Sequence, residues 1–211
     1  MAGIPRIGDA APDFTALTTH GSLTLSEWQA GKWVVLFSHP ADFTPVCTTE
    51  IGELARRNAE FEARGVRLIG LSIDSIHSHL AWLDSIEGKL GIEVPFPMIA
   101  DLDMKVAEAY GMIHPGASAT ATVRAVFVID PSRTVRALIY YPLTNGRNIE
   151  EIIRLVDSLQ ASSSQGIATP ANWRPGDKVI VPATTTMTTR KARLLDGSLE
   201  HVTPYLAYKQ I

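Results

Sequence analysis

The chain has 211 residues, 45% of them hydrophobic, a formal net charge of −3 and one cysteine. That length supports one full domain plus a smaller appendage, and the acidic balance excludes a general nucleic-acid binder, which would show a basic surplus or stripe. No apolar run reaches the ~18 residues of a membrane span, and Met1-Ala2-Gly3-Ile4-Pro5-Arg6 lacks the apolar core of a signal peptide, so a lone cysteine is expected in a reducing, cytoplasmic setting.

Taken in chain order, Val34-Val35-Leu36-Phe37 reads as a buried strand, short, apolar and β-branched. Ile51, Leu54, Ala55 and Phe61 then fall on one helical face, with Gly65 as the stop. Residues 66–74 read as a second strand, which a helical connection makes parallel to the first. Ile76, Leu80, Leu83, Ile86 and Leu90 recur at helical spacing and end at Gly91. His77 and His79 on that helix are two apart and point to different sides, so both are expected on the solvated surface, with no metal site. Met104 to Tyr110 predicts a short helix ending at Gly111. Val123–Ile129 and Val135–Tyr141 flank the turn signal Asp130-Pro131-Ser132 and predict a hairpin. Ile149, Ile152, Ile153, Val156 and Leu159 mark a last helix. The pattern describes an α/β domain with a mixed sheet.

The character changes after Ala161. Ser162-Ser163-Ser164-Gln165-Gly166 reads as a linker, and the Pro- and Thr-rich stretch beyond it offers only Val179-Ile180-Val181 as a strand. The division expected is a main domain over 1–160 and a C-terminal arm over 161–211. The arm has too few apolar anchors to fold alone and is expected to dock on the main domain or on a second chain. The sequence has no glycine-rich phosphate loop and no zinc-ligand pair, so neither a cofactor nor a metal is expected.

The chemistry concentrates in Ser38-His39-Pro40-Ala41-Asp42-Phe43-Thr44-Pro45-Val46-Cys47-Thr48-Thr49-Glu50. Thr44 suits a helix N-cap and Pro45 the first helical position, which puts Val46 second and Cys47 third. A thiolate there would face unpaired N–H groups and the positive end of the helix dipole. From the residues alone Cys47 is either a buried structural cysteine or a nucleophile. The helix start and the polar neighbours His39, Asp42, Thr44, Thr48 and Glu50 favour the nucleophile. Thr44-Pro45-Val46-Cys47 also has the spacing of a C-x-x-C redox motif with Thr in place of the first cysteine, so a dithiol shuttle within the motif is excluded.

Pro40-x-x-x-Thr44-x-x-Cys47 resembles the active-site signature of the peroxiredoxins, and the longer string is similar to their 1-Cys branch, including its archaeal members. Ala11-Pro12-Asp13-Phe14, Arg124-x-x-Phe127-x-Ile129-Asp130, Tyr141-Pro142 with Gly146-Arg147-Asn148, and Pro170-Ala171-Asn172-Trp173-x-Pro175-Gly176-Asp177 extend the resemblance over the whole chain. It implies a thioredoxin-like fold, a mixed central sheet flanked by helices with a C-terminal arm or small domain. It implies reduction of hydroperoxides by Cys47. Thr44 and the helix-start N–H groups would orient the peroxide, Arg124 would stabilise the thiolate and the leaving oxygen, and Pro40 would cover the sulfur. Glu50 and Arg147 would form a supporting shell, with Val46 in the helix start and His39 beside the sulfur. Without the resemblance, Arg124 and Arg147 read as ordinary solvated cations and Glu50 as a residue that favours the helix dipole.

The 2-Cys relatives carry a resolving cysteine near the C-terminus, and none exists here. The implied reductant is therefore an external thiol or thiol protein, or Cys47 of a second chain. The resemblance also implies homodimers formed by edge-strand pairing with exchanged arms, assembling further into a decamer or similar ring. A different class of function, a ring-forming chaperone or scaffold with secondary peroxidase activity, is the alternative. Some 1-Cys relatives have a lipase serine within Gly-x-Ser-Trp-Gly. The matching Ala30-Gly31-Lys32-Trp33-Val34 has Lys32 at that place, and no such activity is expected.

Overall fold

The apolar run before Pro40 becomes an interior strand of a seven-stranded mixed sheet. The computed structural model describes residues 4–211, so the first three residues of the N-terminal segment lie outside it. The strands are β1 (Thr15–Thr18), β2 (Gly21–Thr24), β3 (Trp33–Ser38), β4 (Val66–Ser72), β5 (Met98–Ala100), β6 (Arg124–Ile129) and β7 (Val135–Tyr141), in spatial order β2-β1-β5-β4-β3-β6-β7. Between them lie α1 (Leu25–Gln29), α2 (Pro45–Arg56), α3 (Asn58–Ala63), α4 (Ile76–Leu90) and α5 (Lys105–Ala109).

β3 is parallel to β4, with Leu36 opposite Ile69, and antiparallel to β6, with Leu36 opposite Phe127. Both faces of β3 are buried, which is why it reads as a continuous apolar run. Val34 and Leu36 pack in one cluster with Ile69, Leu71, Phe127 and Tyr110, while Val35 and Phe37 alternate onto the other face. Because β6 runs against β3, its first residue, Arg124, lies near the end of β3 from which the Ser38–Thr44 loop departs. The parallel β3–β4 pair and the β6–β7 hairpin agree with the sequence reading.

The structure differs from the sequence reading in several places. The helix expected from Ile51 to Phe61 is interrupted at Arg57, giving α2 and α3. Thr15–Thr24 forms an additional hairpin, β1–β2, whose turn is closed by Thr18 Oγ1 donating to the Gly21 carbonyl at 2.7 Å. The expected linker over 162–166 is helical as far as Gln165, within α6 (Ile149–Gln165). Its serines satisfy their hydroxyls on the preceding turn, Ser162 on the Leu159 carbonyl and Ser164 on that of Gln160. Accordingly the chain divides into one compact unit ending at Ile149 and another spanning Glu150–Ile211, earlier than the expected 160/161 boundary.

The second unit contains more regular structure than its composition suggests. After α6 come β8 (Val179–Ile180), α7 (Met187–Leu194), β9 (Glu200–Thr203) and β10 (Leu206–Lys209), with a three-stranded sheet in the order β8-β10-β9. Its core is small, built from Ile167, Trp173 and Val179 with Ala161 packed against them. Among the described residues no helix is long and apolar enough to cross a membrane.

Candidate active site

The loop that leaves β3 is held by backbone and side-chain bonds before it reaches the helix. His39 N–H donates to the Leu71 carbonyl at 2.9 Å, and Thr122 Oγ1 donates to the His39 carbonyl at 2.7 Å. The Asp42 N–H donates to Asp74 Oδ2 at 3.0 Å. Phe43 then takes a left-handed backbone with φ 55°, an uncommon conformation for a bulky residue and one that a pinned loop can sustain at a functional site. Thr44 follows as the N-cap of α2, with φ −106° and ψ 148°, and Pro45 is the first helical residue. Val46 and Cys47 therefore occupy the second and third positions, as the sequence reading expects. Their N–H groups belong to the first turn, which has no intrahelical acceptor for them.

Thr44 caps by position but not by side chain. Its hydroxyl donates to the Ala41 carbonyl at 2.9 Å and makes no cap bond to the helix. The single hydroxyl proton is thus committed, and toward any further group Thr44 Oγ1 acts as an acceptor.

Cys47 is buried, with the side chain of Arg124, the first residue of β6, against its sulfur. Arg124 Nη1 donates to Cys47 Sγ at 3.3 Å and to Glu50 Oε2 at 2.5 Å. The other side of the Arg124 guanidinium is fixed by the Leu143 carbonyl, at 2.7 Å from Nη2 and 3.1 Å from Nε. Glu50, one turn along α2 from Cys47, binds a second guanidinium. Arg147 donates to it from Nε at 2.9 Å, from Nη2 at 2.9 Å and from its backbone N–H at 2.7 Å. Arg147 Nη1 reaches the Ser38 and Ala125 carbonyls at 2.9 and 3.1 Å, and the guanidinium lies over the Phe37 ring.

Arg124, Arg147 and Glu50 are all nearly inaccessible to solvent. Burial opposes the Glu50 charge, but Arg147 above all, with Arg124, holds its carboxyl below the usual carboxylate range. Two buried cations thus share one carboxylate. The excess positive charge faces Cys47 through Arg124.

The expected site residues fall into two groups. Cys47, Glu50, Arg124 and Arg147 form one hydrogen-bonded cluster, with Thr44 and Val46 at the helix start and Pro40 half-buried at the turn out of β3. His39 makes no hydrogen bond to Cys47; its Nε2 is 2.9 Å from Asp42 Oδ1. The sequence reading missed His79, which is fully buried on α4 and bound to Asp42, not on the solvated surface; His77 is exposed. The spacing of the two histidines correctly separates their faces but does not say which face is covered. The Leu143 carbonyl was also missed, since a backbone acceptor leaves no mark in residue identity.

Comparisons with known proteins join this geometry to a family. The AhpC/TSA family matches residues 7–138, and the C-terminal domain of 1-Cys peroxiredoxin matches residues 158–197. The chain is a peroxiredoxin. It is 54% identical over 207 residues to a peroxiredoxin of Aquifex aeolicus, covering 93% of each chain. Its fold is similar to a yeast mitochondrial 1-Cys peroxiredoxin, with TM-score 0.89, 40% identity and coverage of 99% of this chain and 100% of that one. It is also similar to a cysteine-to-serine mutant of peroxiredoxin 6 from Arenicola marina, with TM-score 0.87, 38% identity and coverage of 99% and 98%. The thioredoxin-like fold and thiol-dependent peroxidase activity follow for this peroxiredoxin.

The Glu50 cluster gives a direct test by mutation. Glu50→Ala leaves two guanidinium groups buried without their shared counter-charge. The expected loss of stability is about 3–5 kcal/mol, measured by urea unfolding. A loss below about 1 kcal/mol, the range of an exposed ion pair, would contradict the clamp.

Proposed function

We propose that Cys47 is the nucleophile that reduces hydrogen peroxide and organic hydroperoxides, and that an external thiol restores it. The observation that carries this reading is the Arg124 Nη1 to Cys47 Sγ contact of 3.3 Å within the buried, cation-rich cluster. The thiolate attacks the terminal peroxide oxygen, forming the S–O bond as the O–O bond breaks. Cys47 becomes a sulfenic acid, and the leaving oxygen takes a proton from water and departs as water or an alcohol. Arg124 faces both the sulfur and the charge that develops on the leaving oxygen, as a preorganised donor. Thr44 Oγ1 accepts from the peroxide O–H, the helix-start N–H groups orient its oxygens, and Pro40 and Val46 shield the sulfur. Glu50 and Arg147 hold Arg124 in place.

The sulfenic acid is then attacked by a thiol, giving a mixed disulfide and water, and a second thiol releases Cys47. No other cysteine exists in the 211 residues, so both thiols come from other molecules. The yeast relative is described as resolved through glutathione/thioredoxin systems, which supports a small thiol or a thiol protein as the class of reductant here.

The reading also includes a homodimer. β7 ends the seven-stranded sheet; the Gly8–Asp9 backbone already pairs with Val135, and the proline-free remainder of the strand after Val135 is the kind of edge a second copy can extend. Dimers of this kind can assemble further into a ring.

Two measurements test these readings. With dithiothreitol as reductant, wild type is expected to consume hydroperoxide and Cys47→Ser to lose that activity entirely; equal rates would exclude Cys47 as the nucleophile. Light scattering at micromolar concentration is expected to give at least twice the monomer mass of 22.9 kDa, whereas a homogeneous monomer would exclude edge pairing.

A further inference from the structure

Beneath the Ser38–Thr44 loop lies a second buried charge cluster, made of His39, Asp42 and His79. His79 Nε2 lies 3.0 Å from the Ile99 carbonyl, and its Nδ1 lies 2.8 Å from Asp42 Oδ2 and 3.1 Å from Oδ1. A carbonyl and an ionised carboxylate only accept, so both nitrogens of His79 carry protons and the ring is an imidazolium. Asp42 Oδ1 accepts in turn from His39 Nε2, which assigns the proton of His39 to Nε2 and leaves Nδ1 with a bare lone pair. That Nδ1 is buried and has no hydrogen-bond partner among the described residues. Leaving a buried acceptor unmet is costly, and such a group calls for an explanation. His39 directly follows Ser38, whose carbonyl accepts from Arg147 at 2.9 Å, and its ring lies 5.1 Å from that of Trp82, whose Nε1 donates to Thr48 next to Cys47, so this acceptor adjoins the Cys47 cluster.

We propose that His79 is a positioning residue for the peroxidase site: its imidazolium neutralises the buried Asp42 carboxylate and so keeps His39 neutral, with Nδ1 an open acceptor for the second O–H of bound hydrogen peroxide, the one that Thr44 does not take. The proposal rests on the reading of Cys47 as a peroxidatic thiol. The charge arithmetic is closed: one cation, one anion and one neutral ring. Without the His79 charge, Asp42 would draw a proton onto His39, and the acceptor would become a donor.

The groups that face the pair set the direction. Burial opposes a proton on His79, yet the Asp42 hydrogen bond and charge, the Ile99 carbonyl and Asp74 together raise its proton affinity above that of a free histidine. For His39, burial dominates and lowers it. Asp42 opposes that effect, while the charges of His79 and Arg147 reinforce it. Burial works against the Asp42 charge as well, but the two rings hold it below the usual carboxylate range.

The test is the ring state of both histidines, read by nitrogen-15 spectra of the reduced protein, with hydrogen peroxide kinetics alongside. Wild type near neutral pH is expected to show His79 protonated on both nitrogens and His39 protonated on Nε2 alone. His79→Gln, which removes the cation, is expected to raise the proton affinity of His39 about tenfold or more. Cys47 oxidation should slow by a similar factor on the acid side and converge with wild type at alkaline pH. His79→Lys, which returns a cation, is expected to restore the neutral His39 ring. A neutral His79 in wild type, or an unchanged His39 ring in folded His79→Gln, overturns the proposal. Should His79→Gln fail to fold, the wild-type spectrum decides alone. An absence of Cys47-dependent activity in wild type would overturn the parent reading and the proposal with it, and active wild type with an unaltered His39 ring would overturn the proposal alone.

Discussion

One carboxylate holding two guanidinium groups is the constraint on which the site depends. Glu50 sits one turn after Cys47 on the same helix, so its position relative to the sulfur is set by helix geometry. Through it the start of α2 is bound to the start of β6, by Arg124, and to the loop after β7, by Arg147. Desolvating these three charges costs several kcal/mol per ion, and the attraction offsets that only when the remaining donors are satisfied. The Leu143, Ser38 and Ala125 carbonyls provide those acceptors. One positive charge is left over, and it points at Cys47.

The loop between β3 and α2 carries a second neutralised cluster, and the two are complementary. In the proposed reaction Arg124 acts on the sulfur and the leaving oxygen, with Glu50 and Arg147 holding it in place. The His39–Asp42–His79 set fixes the loop that brings Thr44 and Pro40 to the same place. Asp42 contributes with both backbone and side chain, the N–H bound to Asp74 and the carboxylate to two histidines. Such over-determination is what permits the left-handed backbone at Phe43 immediately before the helix. Thr44 gains its orientation from the Ala41 carbonyl rather than from the helix it begins.

Much of this was legible in the sequence because it is local. Val34–Phe37 announces a buried strand by composition alone, and Thr44-Pro45 announces a helix start, which together locate Cys47 at the third position. The β6–β7 hairpin is signalled by Asp130-Pro131-Ser132. Arg124 and Arg147 were different: by their local sequence both read as solvated cations, and only the extended resemblance made them site residues. His79 escaped because its burial depends on α4 meeting the loop after β3, a contact between residues 37 positions apart. The helix through Ser162–Gln165 escaped because serine favours turns in isolation, whereas here its hydroxyls bond back to the helix. The β1–β2 hairpin rests on threonines of weak apolar character, and its pairing with the larger sheet is what makes it a strand pair.

The central claim is that the uncompensated guanidinium charge beside Cys47 drives its oxidation. The most direct measurement is capture of the sulfenic acid by a trapping reagent after one equivalent of hydrogen peroxide, followed by intact mass, in wild type and Arg124→Gln. In that variant Glu50 still has Arg147 as its partner, so the buried charge is removed without leaving the carboxylate unpaired. The account predicts a single trapped adduct on Cys47 in wild type and a rate about 10²–10³-fold lower in Arg124→Gln. Equal rates of capture in the two proteins would contradict it.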